Sequence, residues 1–132
     1  MSDPTVLYLI VRGSLNMSAG KTAAQVGHCV ERILIHYFKA QIINAKFHGL
    51  PKDEEGRINA TTDWMAQAST KIVLKADEKE WIALKQEFTG NCFVIKDNGL
   101  TEVAPGTETA MVIWPMAKSN ATKAIRRLQC LR

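Results

Sequence analysis

The chain has 132 residues, 46% hydrophobic and 23% charged, with a net charge of +4. That length suits one domain of roughly 100–150 residues, here residues 1–132, and the mild positive charge is compatible with a polyanionic partner. A membrane span is excluded, because no run approaches the ~20 apolar residues that cross a bilayer, and Met1-Ser2-Asp3-Pro4 lacks the basic start of an export signal.

The first predicted element is a strand, Val6 to Val11, apolar without alternation and therefore buried on both faces. The loop "RGSLNMSAG" leads into a helix from about Lys21 to Phe38. Ala23, Val26, Val30, Ile33, Leu34 and Tyr37 make its apolar side, and Lys21, Gln25, His28 and Arg32 form a narrow polar stripe. Residues 44–63 read as a long polar loop around the charge run "KDEE", with a short helix near 62–68. A second strand covers 71–75. Asp77 then caps a helix with Glu80 in the reciprocal position, Trp81, Leu84 and Phe88 on its apolar face, and Gly90 at its end. Strands follow at 92–96 and 110–114, the latter stopped by Pro115, and a basic helix closes the chain from about 119 to 131. Strands separated by helices become parallel neighbours in a layered α/β domain, whose ligands bind beyond the carboxyl ends of the strands. The loops after the first and third strands, Arg12 to Lys21 and Asp97 onward, should therefore open at one edge.

Cys29, Cys92 and Cys130 are odd in number and widely spaced, which reads as reduced thiols in a cytoplasmic protein. No Cys/His cluster has metal-site spacing, and neither a metal nor another cofactor is expected. "AGKTAAQ" invites a phosphate-loop reading, but that motif needs a glycine at position 15, where Leu15 stands. Asp97, Thr101, Thr107 and Thr109 crowd one bend, "DNGLTEVAPGTET". Asp and Thr there cap turns by bonding backbone amides, or they line a site. Lys21 lies in the first turn of its helix, where a cation opposes the dipole unless an anion arrives. Lys123, Arg126 and Arg127 share a face of the closing helix, either as a solvated surface or as contacts to nucleic acid.

Together the segments "LIVRGSLNMSAGKTAAQVGH", "KIVLKADEKEW" and "FVIKDNGLTEVAPGTETAMVIWP" resemble the type II peptidyl-tRNA hydrolase family over nearly the whole chain except the loop around 40–68. The resemblance implies a three-layer α/β/α sandwich with a four-stranded mixed sheet, order 2-1-4-3, its last strand antiparallel. It implies metal-independent hydrolysis of the ester joining a peptide to tRNA, in the cytoplasm, with tRNA as partner and a homodimer compatible with it. By position it puts the catalytic residues at Lys21, Asp97, Thr101 and Thr109, and substrate contacts at Arg12, Gln25 and His28. Lys123, Arg126 and Arg127 join these as tRNA contacts. Ala19 and Leu100 stand where the family carries a lysine and an arginine, so two positive charges are missing from the rim of the site. A non-catalytic RNA-binding module or a divergent paralogue on the same fold is the alternative reading.

Overall fold

The computed structural model describes residues 3–99 and 102–132. Strand β1 (Thr5–Arg12) leads through a single 3-10 turn into helix α1 (Ala19–Phe47) and helix α2 (Lys52–Ala66). Strand β2 (Thr70–Ala76), helix α3 (Glu78–Glu87), strand β3 (Cys92–Lys96) and strand β4 (Glu108–Ala117) follow. The chain closes with the short helix α4 (Lys123–Arg126) and the two-residue strand β5 (Gln129–Cys130). No helix among the described residues is long and apolar enough to cross a membrane.

The strands form one mixed sheet in the order β3-β4-β1-β2-β5. β1 runs parallel to β2, and β4 runs antiparallel to both β1 and β3. The expected order 2-1-4-3 is present, but the expected count of four strands is not. Gln129 and Cys130 pair antiparallel with Lys75 and Leu74, and Leu131 N–H donates to Val73 O at 3.0 Å. Two residues carry no periodicity, so the sequence pattern reads the segment as the end of a helix. The expected 119–131 helix is thus a single α-turn followed by a strand.

Alternate residues of β1 feed two separate cores, which is why its apolar run has no gap. Val6, Tyr8 and Ile10 pack with Trp81 and Leu84 of α3 and with Ile125 and Leu128 around α4. Leu7 and Leu9 pack on the other face with Cys29 and Ile33 of α1 and Trp64 of α2. The α3 helix starts as expected. Asp77 accepts from Glu80 N at 2.8 Å while the Glu80 side chain accepts from Asp77 N at 2.9 Å.

Helix α1 runs nine residues beyond the expected end at Phe38 because α2 gives its second half something to pack on. Tyr37, Ala40 and Ile58 form a small core there, and the Tyr37 and Thr62 hydroxyls are 2.9 Å apart. The expected loop at 44–63 is largely α2. The charge run read as a loop is its first turn, where Asp53, Glu54 and Glu55 sit favourably against the helix dipole. Ile58, Thr61 and Trp64, three apart, are its buried face. β4 continues through Pro115 because the β1–β4 register slips there, from Val6↔Met116 to Tyr8↔Ile113. At that irregularity the missing proline N–H interrupts no ladder bond.

Candidate active site

The polar stripe of α1 faces the bend that follows β3 and the start of β4. The Lys21 ammonium donates to Asp97 Oδ1 at 2.6 Å, and the two side chains are only 11% and 10% exposed. Gln25, one turn further along α1, is fully buried. Its amide donates to the same Asp97 Oδ1 at 3.2 Å, and its Oε1 accepts the Thr109 hydroxyl at 2.6 Å. Thr109 is itself fully buried. Lys21, Gln25, Asp97 and Thr109 therefore form one connected unit. Thr101, the other threonine expected to join it, lies outside the described residues.

The bend is built to hold Asp97 still. Asp97 N–H donates to Thr107 O at 2.9 Å, and Gly106 N–H returns to Asp97 O at 2.8 Å. Asp97 Oδ2 accepts Gly99 N–H at 2.7 Å. Gly99 has φ +73° and lies so close to Pro105 that a Cβ would fall 2.2 Å from its nitrogen, so only glycine fits. Thr107 caps the turn, donating to Ala104 O at 2.7 Å. The bend thus combines both readings of its hydroxyls: Thr107 serves the turn and Thr109 faces the site.

The electrostatics follow from these bonds. The Lys21 ammonium first, and then the Gly99 amide, hold the Asp97 carboxyl below the usual carboxylate range. Both oxygens are bonded to donors, so Asp97 is an ionised, fixed carboxylate beside a fixed ammonium. One residue with no sequence signal also enters here. Glu102 accepts from Ser18 N–H at 2.7 Å and from the Ser18 hydroxyl, and Ser18 is the N-cap of α1. A carboxylate on the first amide of a helix is favourably placed, and it ties the bend to α1 across 84 residues of sequence. Ser18 Oγ in turn accepts Lys21 N–H at 3.2 Å, so the amides of Ser18 and Lys21 are both engaged.

The other expected residues lie apart from this unit. Arg12 turns to the α3 face, where it grips Glu78 at 2.8 and 2.7 Å and donates to Glu108 O at 3.1 Å. That pair, helped by Ser14, pulls the Glu78 carboxyl down to about 2. His28 stays on the α1 stripe, 3.8 Å from Glu31 and half exposed. Lys123 and Arg126 lie in α4 and Arg127 just after it, on the sheet face opposite α1, and Arg126 donates to Ala121 O at 2.5 Å. Among the described residues no three His, Cys, Asp or Glu side chains converge as metal ligands.

A fixed carboxylate, an ammonium and a neutral amide, gathered where strands β1 and β3 end and β4 begins, are suited to orienting a water and stabilising negative charge. Comparison with known proteins points the same way. A relative from Methanopyrus kandleri, called peptidyl-tRNA hydrolase, is 31% identical over 128 residues, 94% of this chain and 96% of the relative. Proteins of the same name from Methanococcus maripaludis and Methanocaldococcus jannaschii are 30% and 29% identical, covering 93% and 95% of this chain and 96% and 98% of their own. The family model described as peptidyl-tRNA hydrolase PTH2 matches residues 5–131. That match spans every strand, every helix and all four members of the polar unit, and on it the chain belongs to the peptidyl-tRNA hydrolase PTH2 family.

Proposed function

We propose that this protein hydrolyses the ester between the peptide and the terminal ribose of peptidyl-tRNA, acting in the cytoplasm as one domain and without a metal. The observation that carries the reading is the Lys21–Asp97–Gln25–Thr109 unit at the strand ends. Asp97 orients the attacking water through a carboxylate whose own position is fixed by three donors. Its lowered pKa makes it a weak base, so its contribution is orientation and electrostatic support of the proton leaving the water. Lys21, paired with Asp97 before substrate arrives, stabilises the oxyanion that develops on the ester carbonyl. Thr109 is a positioning residue. Its hydroxyl proton is directed to Gln25, it is buried, and no base bonds it among the described residues, so it does not act as a nucleophile. Thr101 belongs to the same set on sequence grounds. Gln25, buried with both ends of its amide bonded, holds Asp97 in place. His28 is proposed to help seat the substrate, and Arg12, on the α3 side of the same strand ends, to meet it away from the polar unit, with Lys123, Arg126 and Arg127 meeting tRNA phosphates further out.

Two copies are proposed to pair through the outer side of α1. Ile35, Phe38 and Ile42 repeat there at helical spacing and are 43%, 58% and 67% exposed. Antiparallel pairing centred near Phe38 brings Glu31 of one copy toward Lys46 of the other. Sedimentation of the wild type against Phe38→Glu tests this, with a monomeric wild type as the contrary result.

The deciding experiment is release of labelled peptide from N-acetyl-aminoacyl-tRNA with and without EDTA. Turnover that survives the chelator is expected. Turnover that EDTA abolishes overturns the metal-free mechanism. No turnover by a folded sample at micromolar enzyme leaves an RNA-binding module on the same fold.

A further inference from the structure

The polar stripe of α1 does not end at the reactive unit. Beyond Gln25 it continues through His28 to Arg32, and these two side chains line a cavity of about 270 Å³ between α1 and β3. Glu31 of α1 shares their wall, and Lys96, Asp97 and Asn98 form the opposite one, so the cavity carries both charges and abuts the carboxylate proposed to orient water. β3 is the outermost strand on this side of the sheet, so the cavity opens along a free edge. His28 lies roughly 10 Å along the helix axis from Lys21, and Arg32 a further turn away, at 1.5 Å per residue.

Arg32 has two features that an ordinary surface arginine lacks. Its guanidinium carbon sits 5.9 Å from the centre of the Phe93 ring, which places the side chain over the strand edge. It also makes no ion pair among the described residues, although Glu31 is its chain neighbour and engages His28 instead. Of the two carboxylates in the lining, Asp97 is already paired with Lys21 and Glu31 lies toward His28, so Arg32, with Lys96 across the cavity, is left to meet an anion from outside.

We propose that this cavity seats a phosphodiester of the RNA strand that leads to the reacting ribose, with Arg32 as the specificity-determining contact and His28 beside it. The proposal rests on the hydrolase reading, in which the ester lies against Asp97. The strand then passes along the free edge of β3, its phosphate within reach of the guanidinium and a base or ribose free to lie over Phe93. The cavity thereby distinguishes an ester attached to a polynucleotide from the same ester on a lone nucleoside.

The test compares two esters of one N-acetyl-amino acid, on tRNA and on adenosine, which has no phosphate. Arg32→Gln keeps the stem over Phe93 and removes the charge. It is expected to lower kcat/KM on the tRNA ester about tenfold, through KM, and to leave the adenosine ester unchanged. Equal losses on both esters, or none on either, overturn the proposal. Binding of deacylated tRNA reads the cavity without the reaction. The slope of log Kd against log salt should fall by about 0.7, the value for one single-strand phosphate contact. If the wild type turns over neither ester, the hydrolase reading fails, and this slope alone decides: an unchanged slope removes the phosphate seat as well.

Discussion

The Thr109 hydroxyl donates to Gln25 Oε1 at 2.6 Å, and this one bond fixes which way the Gln25 amide points. With Oε1 occupied by a donor, the NH2 group is the end that meets Asp97. Thr109→Val keeps the volume and removes the donor. It should lower kcat about tenfold and cost about 1–3 kcal/mol of stability, because a buried acceptor is left unpaired. Thr109→Ser should recover most of both. Full activity in the valine variant would mean that the orientation of Gln25 does not matter to the reaction.

Asp97→Asn keeps the shape of the carboxylate and removes its charge. Peptide release under saturating substrate should fall roughly a hundredfold or more, the usual scale for a group assisting proton transfer. Because Lys21 and Gly99 hold the Asp97 carboxyl below its ordinary range, Asp97 is ionised throughout the neutral region. An acid limb in kcat/KM belonging to this group therefore lies below the usual carboxylate pKa. A limb near pH 6 that vanishes in Asp97→Asn would contradict that assignment.

Arg12 and Glu78 join the end of β1 to the start of α3, and their pairing makes stability depend on pH in a set direction. The Glu78 carboxyl titrates at about 2 in the folded protein, against about 4.3 in an unfolded chain. Its stabilising contribution is complete above the unfolded value and disappears as the pH falls toward about 2. The gap in urea midpoint between the wild type and Glu78→Gln should be constant from pH 6 to 8 and close progressively below about 4.5. A gap that ignores pH would leave the pair without a net contribution, as many exposed pairs are.

Lys123 and Arg127 lie on the sheet face opposite α1, clear of the reactive unit. If they meet tRNA phosphates, the double variant Lys123→Ala/Arg127→Ala should raise KM and leave kcat unchanged. The salt slope of tRNA binding should drop by roughly 0.9 for each duplex phosphate that is no longer neutralised. An unaltered slope assigns them to a solvated surface. Arg126 is left in place because its bond to Ala121 O supports the turn itself.

The parts of this molecule legible in the sequence are those with a repeating or local signal. β1 announced itself as an unbroken apolar run, and α3 by the Asp77–Glu80 reciprocal cap. Lys21 and Gln25 shared a stripe on one helix, and the turn residues after β3 marked a bend near an edge. What was not legible depends on partners far away in the chain. Charged residues and Gly56 hid α2, whose stability comes from Ile58, Thr61 and Trp64 meeting α1 and the sheet. The surroundings of Arg12 depend on Glu78, 66 positions later, so no local pattern shows that its side chain lies on the α3 side. Glu102 offered no motif, since its partner is the Ser18 cap, 84 positions earlier.

The two-residue strand at Gln129 and Cys130 is small, yet it occupies the outer margin of β2. Without it, the N–H and C=O groups of Val73, Leu74 and Lys75 would form an open template for a strand from another molecule. The segment after α4 therefore acts as a guard against edge-to-edge association. Removing residues 129–132 should show itself as concentration-dependent light scattering at temperatures where the intact chain stays clear.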